Sequence, residues 1–343
     1  MSMSTPATQQ GTLVISLDFE LMWGMFDKVT HEEYGTHLDG VWEAIPLLLR
    51  TFRDRDIHAT WATVGLLMHE GVENLFQSVT LVKDKPHFEQ PSYSAYFHLH
   101  KETVEKFPQR YLASELVRAI VDTPYQELAS HTFAHFYCKE AMADTENAKR
   151  SWEADIQAQT KVSSIFQREM RSIVFPRNQW TSDALVALQE HGYKVYRGTE
   201  SHLLYRPRKD SEQHLGLRGL RLLDAYLNLS GHHTYDFAQF PQTEKLINVP
   251  ASRFLRPYSR RLAWLEPLKL ARITSAMTHA AKHGEVFHLW WHPHNFGVHQ
   301  KENIAQLTHL LDHFAQLEKQ YGMTSRTMYE LSTHARAQID ATT

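Results

Sequence analysis

The sequence predicts a single α/β domain of barrel type with fewer than eight regular strands, and three observations carry that expectation. Short apolar runs of strand character alternate with amphipathic helical stretches along most of the chain. No internal repeat or heptad pattern competes with this alternation. Polar residues suited to chemistry recur where the apolar runs end: Asp18 and Glu20, His131, Arg177, and His292. In an α/β barrel the ends of the strands are where ligands bind.

The elements follow in order. Residues 1–11 read as a disordered lead. LVISLDF (13–19) is apolar enough for a strand covered on both faces. In 41–54, Trp42, Ile45, Leu49 and Phe52 recur at helical spacing, with Pro46 as a kink or a later start. IHATWATVGLL (57–67) is a second strand closed by Gly65. Residues 68–110 are irregular and aromatic, an insertion suited to a lid or wall. A helix over 112–122 leads to a short strand at ELASH (127–131), and 141–171 has a helical composition. RSIVFP (171–176) is a strand, SDALVALQEHG (182–192) a helix capped by Ser182 and stopped by Gly192, and YKVYRG (193–198) the next strand. Residues 199–245 give no clear assignment. KLINVP (245–250) is a strand, a helix lies within 261–282, and EVFHLWWH (285–292) is a strand ending in histidine. Over 304–322, Ile304, Leu307, Leu311, Phe314 and Leu317 share one helical face that ends at Gly322. The expected organisation is one domain over 12–325 and a C-terminal extension over 326–343.

Composition limits the function. The chain has 343 residues and a formal net charge of -3, so nothing argues for non-specific attraction to nucleic acid. The single cysteine, Cys138, rules out an intramolecular disulfide and a cysteine-based zinc site, and is read as structural. The first residues carry no basic segment or long apolar run, and no transmembrane stretch is evident; the expectation is a cytoplasmic protein.

ELASHTFAH (127–135) places His131 and His135 four residues apart. On a helix they share a face, and in a tight loop they can also converge. Imidazole suits zinc, cobalt, nickel or iron. With 23 histidines in the chain, the pair alone is a modest signal, and a third ligand is needed. Asp18 and Glu20 are the candidates, two apart and on one face of a strand. In WWHPHNFG (290–297), His292 or His294 is a candidate acid, Asn295 a loop residue, and Trp290 or Trp291 a substrate-facing wall. Arg197 is a candidate for lining the groove. Arg253 and Arg256 could meet a phosphate or carboxylate on a substrate, but surface ion pairs are the simpler explanation.

These stretches together resemble the polysaccharide deacetylase superfamily, the carbohydrate esterases with a NodB-type domain. SLDFE (16–20) stands at its aspartate-rich first motif, ATWATVG (59–65) at its second strand, and ELASHTFAH at its histidine motif. FPRNQ (175–179) is a variant of the arginine and proline motif, and WWHPHNFG supplies the late histidine. The resemblance runs from about residue 12 to about 320. It implies a distorted, seven-stranded (β/α) barrel with one divalent metal ion, zinc in the first instance, held by Glu20, His131 and His135. It further implies Asp18 as general base, His292 as general acid, and Arg177 holding Asp18 and lowering its pKa. A backbone N–H near Phe136 or Tyr137 would help the oxyanion, and Trp291, His294, Asn295 and Arg197 would contact substrate. The Asp-x-Glu order departs from the family, so Asp18 could be the ligand and Glu20 the base. The implied activity is metal-dependent removal of an acyl group, usually acetyl, from an amino sugar of a glycan or glycan precursor; the expected cytoplasmic location, not the resemblance, points to a nucleotide- or lipid-linked precursor. Other metal-dependent C–N hydrolases, allantoinase-like or deformylating, and a non-catalytic glycan-binding protein with a degenerate site are the alternatives.

Overall fold

The computed structural model describes residues 10–141, 145–200, 202–205, 215–236, 240, 242–243 and 246–342. The lead expected over 1–11 therefore lies almost wholly outside the described residues. Among the described residues ten strands form one sheet: β1 Thr12–Phe19, β2 Ala59–Thr63, β3 Gln126–Ser130, β4 Ser172–Val174, β5 Val195–Gly198, β6 Gln242–Thr243, β7 Leu246–Pro250, β8 Arg253–Phe254, β9 Val286–Trp291 and β10 Thr324–Arg326. Side by side they run β6-β7-β5-β4-β3-β2-β1-β9-β8, with β10 added beside the start of β1. All pairings are parallel except that of the short β6 with β7.

The two edges of this order are one stretch of chain. β7 pairs with β5 and β8 pairs with β9, and only Ala251 and Ser252 separate them. Ala251 N donates to Gly198 O at 2.9 Å and Ser252 N donates to His288 O at 2.8 Å, so the backbone crosses from one neighbour to the other without losing its hydrogen bonds. Counting β7 and β8 as one position, the parallel strands close a distorted ring of about seven, as the resemblance implies.

Period-two alternation sorts the strand side chains. Along β1, Leu13, Ile15, Leu17 and Phe19 pack outward into the main core with the surrounding helices, whereas Val14 belongs to a second, smaller core inside the ring. That inner core unites Val14, Val174, Val195, Val249 and Val286 with Met328, Leu331 and Ala335. The last three come from the helix Met328–Thr342, so the segment read as a C-terminal extension packs against the start of the strands. Met328 N donates to Thr60 Oγ1 at 2.9 Å and Tyr329 N donates to the buried Glu127 carboxylate at 3.2 Å, which satisfies the first turn of that helix.

Several expected boundaries hold with small shifts. The helix Val41–Arg53 runs on through Pro46, and the last long helix, Gln300–Tyr321, ends on the left-handed Gly322 at φ 68°. The helix Ser182–Glu190 is capped by Thr181, not Ser182: the Thr181 hydroxyl accepts from Ala184 N at 3.3 Å, the position a capping side chain must reach. Residues 68–110 contain the helices Val72–Leu81 and Lys101–Lys106 and three short 3-10 turns. The sequence left His31–Asp39 unassigned; it is a helix with a complete capping box from Thr30 and Glu33.

Candidate active site

The carboxyl ends of the strands open into a cavity of about 550 Å³. The inward positions change character along the barrel. On β1, apolar Val14 is followed by Ser16 and then Asp18; on β9, Val286 is followed by His288 and then Trp290. A polar layer therefore separates the apolar plug from the cavity.

Glu20, His131 and His135 meet at the cavity floor. All three are buried, and one ligand atom from each lies within 4.8 Å of the others. Glu20 Oε2 is 3.2 Å from Nε2 of both histidines. His131 Nδ1 donates to Val174 O at 2.8 Å, which fixes the tautomer and leaves Nε2 as a lone-pair donor facing Glu20. The loop carrying the histidines is tied down from behind. Asp155 accepts from Phe133 N at 2.7 Å and Ala134 N at 3.0 Å, and Thr132 and His135 adopt left-handed backbone conformations at φ 64° and 51°. The pair thus converges from a tight loop, not from a helix face. Gly24 makes room for the acid: a Cβ there would sit 1.9 Å from the Glu20 carboxyl carbon. Two neutral imidazoles and a carboxylate suit a divalent transition metal in a site with open positions.

Asp18 is engaged elsewhere. Arg197 grips it through two parallel hydrogen bonds of 2.7 Å, with both groups almost fully buried. The same guanidinium donates to Ser16 Oγ at 3.0 Å and to Asn178 Oδ1 at 3.0 Å, and lies 4.1 Å over the Trp290 ring. Burial pushes the Asp18 pKa up, but Arg197, His131 and His292 outweigh it and hold the carboxyl below its ordinary value. Glu20 is held further down: burial opposes ionisation, and His292, His131 and His135 overcome it. Of the two acids, Glu20 is the one that faces the imidazoles, whereas Asp18 faces Arg197.

Three site expectations need correction. Arg177 does not hold Asp18. It sits in the turn Pro176–Asn178, pairs with Asp27, and stacks 3.7 Å over the Tyr137 ring, on the cavity wall. The role belongs to Arg197, which sits on β5 facing inward, whereas Arg177 lies beyond the end of β4. Trp291 does not face substrate. It is fully buried between Phe52 and Phe296, while Trp290 lines the cavity. Alternation requires this, because Trp290 and not Trp291 shares a face with His292. The Phe136 N–H is unavailable for an oxyanion, since it donates to Thr132 Oγ1 at 2.7 Å.

His292 stands across the cavity floor, its Nε2 3.6 Å from Glu20 Oε1 and 3.9 Å from Asp18 Oδ2, and it keeps partial exposure. His294 stacks on it with ring centroids 4.9 Å apart, but burial and the neighbouring His292 push its pKa down to about 3, so it is neutral at ordinary pH. Asn295 lines the cavity and accepts from His292 N at 3.4 Å, closing the turn that presents His292. Sequence reasoning missed Tyr34, Asn178 and Phe254, which also line the cavity. A positional signal exists for two of them, since Asn178 lies just past β4 and Phe254 closes β8, whereas Tyr34 sits in the helix His31–Asp39, well beyond β1. No residue of 68–110 is among the lining residues; this segment backs the wall from outside, through Tyr93 against Arg177 and Tyr137 and through Phe88 against Tyr137. Cys138 is buried in the main core, where burial pushes its thiol pKa up, as a structural residue.

Comparison with known proteins agrees with this architecture. The polysaccharide deacetylase family model matches residues 34–196, which includes β2 and ELASHTFAH. No curated protein sequence matches the chain. Among solved structures, a protein of Mycobacterium smegmatis described as a polysaccharide deacetylase aligns at a TM-score of 0.55 and 14% identity, covering 98% of this chain and 93% of its own. The allantoinase PuuE aligns at 0.53 and 11% identity, covering 97% and 92%. The α-amylase AmyC of Thermotoga maritima aligns at 0.52 and 11%, covering 94% and 74%. At such identities these likenesses speak to the fold alone. The match to the polysaccharide deacetylase family model is thus confined to residues 34–196, and the acids of β1 and the histidine after β9 reach the same cavity from outside that stretch.

Proposed function

We propose that the protein is a metal-dependent hydrolase that removes an N-linked acyl group, acetyl in the first instance, from an amino sugar. The observation that carries this reading is the separation of tasks at the cavity floor. Glu20, His131 and His135 face one another, and Asp18 and His292 approach the same point from different strands.

Glu20, His131 and His135 would hold a divalent ion, zinc being the simplest fit. When bound, such an ion lowers the pKa of water and polarises a carbonyl. The chain's own groups supply the rest. Asp18 stays ionised at neutral pH because Arg197 neutralises it from behind, and its carboxylate accepts the proton of the attacking water. Arg197 also fixes the plane of that carboxylate through two bonds and Asn178 braces the guanidinium, so the base cannot rotate out of reach. His292, more exposed than the other groups of the floor, donates a proton to the departing nitrogen. His294 cannot take that part because its ring stays neutral, and instead backs His292 by stacking. Trp290 and Phe254, 4.8 Å apart between ring centroids, give a sugar ring an apolar surface.

The test pairs metal analysis with an assay of N-acetyl, N-formyl and ureide substrates. The purified wild type should carry a divalent transition metal, and His131→Ala and His135→Ala should lose it. Deacylation of N-acetyl amino sugars should exceed turnover of ureides, and Asp18→Asn should lower kcat by about 10²-fold or more. A protein that binds no metal, or an Asp18→Asn variant with full activity, would defeat the proposal.

A further inference from the structure

The cavity lining includes cationic residues that the chemistry just described does not use. Among them are Arg221, Arg253, Arg256 and Lys269, with Glu200 as a further acid. Most of these charges are matched within the protein. Arg253 pairs with Asp224, and Lys269 pairs with Glu266 at 2.6 Å while donating to Gln306 Oε1 at 3.0 Å. Arg221 Nε donates to Leu204 O at 2.7 Å. Glu200 is buried, and its pKa is pushed up to about 7 mainly by that burial, which weakens it as a counter-charge at neutral pH.

Arg256 differs from its neighbours. Its guanidinium is half-buried and faces the cavity, and no described carboxylate pairs with it. The groups that act on it are the phenols of Tyr226 and Tyr205. A guanidinium cannot shed its proton to escape burial, so its charge persists and calls for an anion. Its place in the chain connects it to the reaction. In Arg253-Phe254-Leu255-Arg256, Leu255 is buried in the main core, while Phe254 and Arg256 both reach the cavity. Phe254 lies 5.9 Å from the His292 ring. A sugar resting on Phe254 and Trp290 would therefore carry its next substituent toward Arg256.

We propose that Arg256 is the anion subsite of this cavity and that the substrate is an amino sugar bearing a phosphate ester. A guanidinium matches phosphate oxygens through paired hydrogen bonds. The phosphate can come from a nucleoside diphosphate or from a lipid diphosphate. The second source has a feature of its own in the exposed Leu223, Leu227, Leu229 and Trp264, which flank the cationic segment in sequence. The inference rests on the amino-sugar reading of the catalytic end, yet its test does not require turnover.

Calorimetric titration of the metal-loaded protein compares four probes: neutral N,N'-diacetylchitobiose, N-acetylglucosamine 1-phosphate, UDP-N-acetylglucosamine, and a polyprenyl-diphosphate N-acetylglucosamine in detergent. At least one phosphorylated sugar should bind ten-fold or more tightly than the neutral one, and the tighter of the last two names the source. Arg256→Gln should remove most of that preference, and Arg256→Lys should retain part of it. Equal affinity of the wild type for neutral and phosphorylated sugars overturns the subsite even where the variants fail to fold. A folded Arg256→Gln protein that keeps the preference overturns it too, because the phosphate then sits elsewhere, on the metal for instance. Phosphorylated sugars that bind through Arg256 but are never deacylated would sink the hydrolase proposal and leave the subsite standing.

Discussion

The two ends of the barrel interior are built from the same strands and solve opposite problems. At the amino ends, Val14, Val195, Val249 and Val286 meet Met328, Leu331 and Ala335 and exclude water with apolar volume. At the carboxyl ends, two or four residues further along, the inward positions are Ser16, Asp18, Arg197, His288 and Trp290. The buried charges at these positions are matched: Asp18 with Arg197, and Glu20 between two imidazoles. The closed end gains stability by burial, which is non-directional and tolerant. The open end depends on partners, and a single deletion strands the one left behind.

The sharpest way to break this comparison is Arg197→Met. It would leave the Asp18 carboxylate buried without a counter-charge and should cost about 3–5 kcal/mol in urea denaturation. The double variant Arg197→Met, Asp18→Leu should recover much of that loss while remaining inactive. A single variant within about 1 kcal/mol of wild type would show that the pair is better solvated than its burial indicates.

The closed end should respond differently. Leu331→Ala removes a fully buried side chain from the inner core and should cost about 2–5 kcal/mol. Its kcat/KM per folded molecule should stay near wild type, because no atom of the plug reaches the cavity lining. A large fall in kcat at unchanged fold would instead mean that the plug sets the position of Asp18, two inward layers away.

The contrast also explains what the sequence could tell. Parallel strands covered on both faces read as continuous apolar runs, so β1, β2, β5 and β9 stood out within a few residues of their ends. Strand ends carrying Asp18, Glu20, His131 and His292 marked the site for the same reason, since a polar residue closing a buried run needs a function or a partner. The identity of each partner was hidden. Arg197 lies 179 positions from Asp18, and only ring closure brings them together. Arg177 stands in a motif-like stretch, yet it lies beyond the strand and pairs with Asp27. The Trp290 and Trp291 exchange was different in kind. The parity of His292 already determined which indole faces inward, so that signal was present and unused. Within 199–245 the amphipathic helix Leu215–Asp224 likewise offers a readable periodicity, whereas the described loop after it is held by side chains, Asp224 with Ser230 and Arg253, and shows none.

Gly24→Ala tests the open end sterically. The added methyl would overlap the Glu20 carboxyl group, so the acid must leave its place between His131 and His135. Metal affinity should fall by about 10-fold or more, the size seen when groups that orient a ligand are disturbed. Global stability should change far less than in Arg197→Met. Metal titration followed by thermal melting separates the two quantities. Unchanged affinity would mean that the loop from Leu21 to Gly24 yields without moving Glu20.

The mildest effect belongs to the cationic segment, and it appears as a dependence on pH. Burial pushes the Asp224 pKa up, but bonds from Tyr205, Ser230 and Arg253 more than compensate and pull it down to about 2. An unfolded aspartate titrates near about 3.9. Between those two values the unfolded chain binds the proton and the folded chain does not, so stability rises with pH across that window. The contribution of Asp224 is therefore fully present above about pH 4 and is lost as the pH falls toward 2. Asp224→Asn, which keeps an oxygen for Ser230 N but not the charge for Arg253, should flatten the acid limb of a stability-against-pH curve. The curve at neutral pH would shift downward in parallel. An acid limb identical to wild type would place the titrating groups elsewhere.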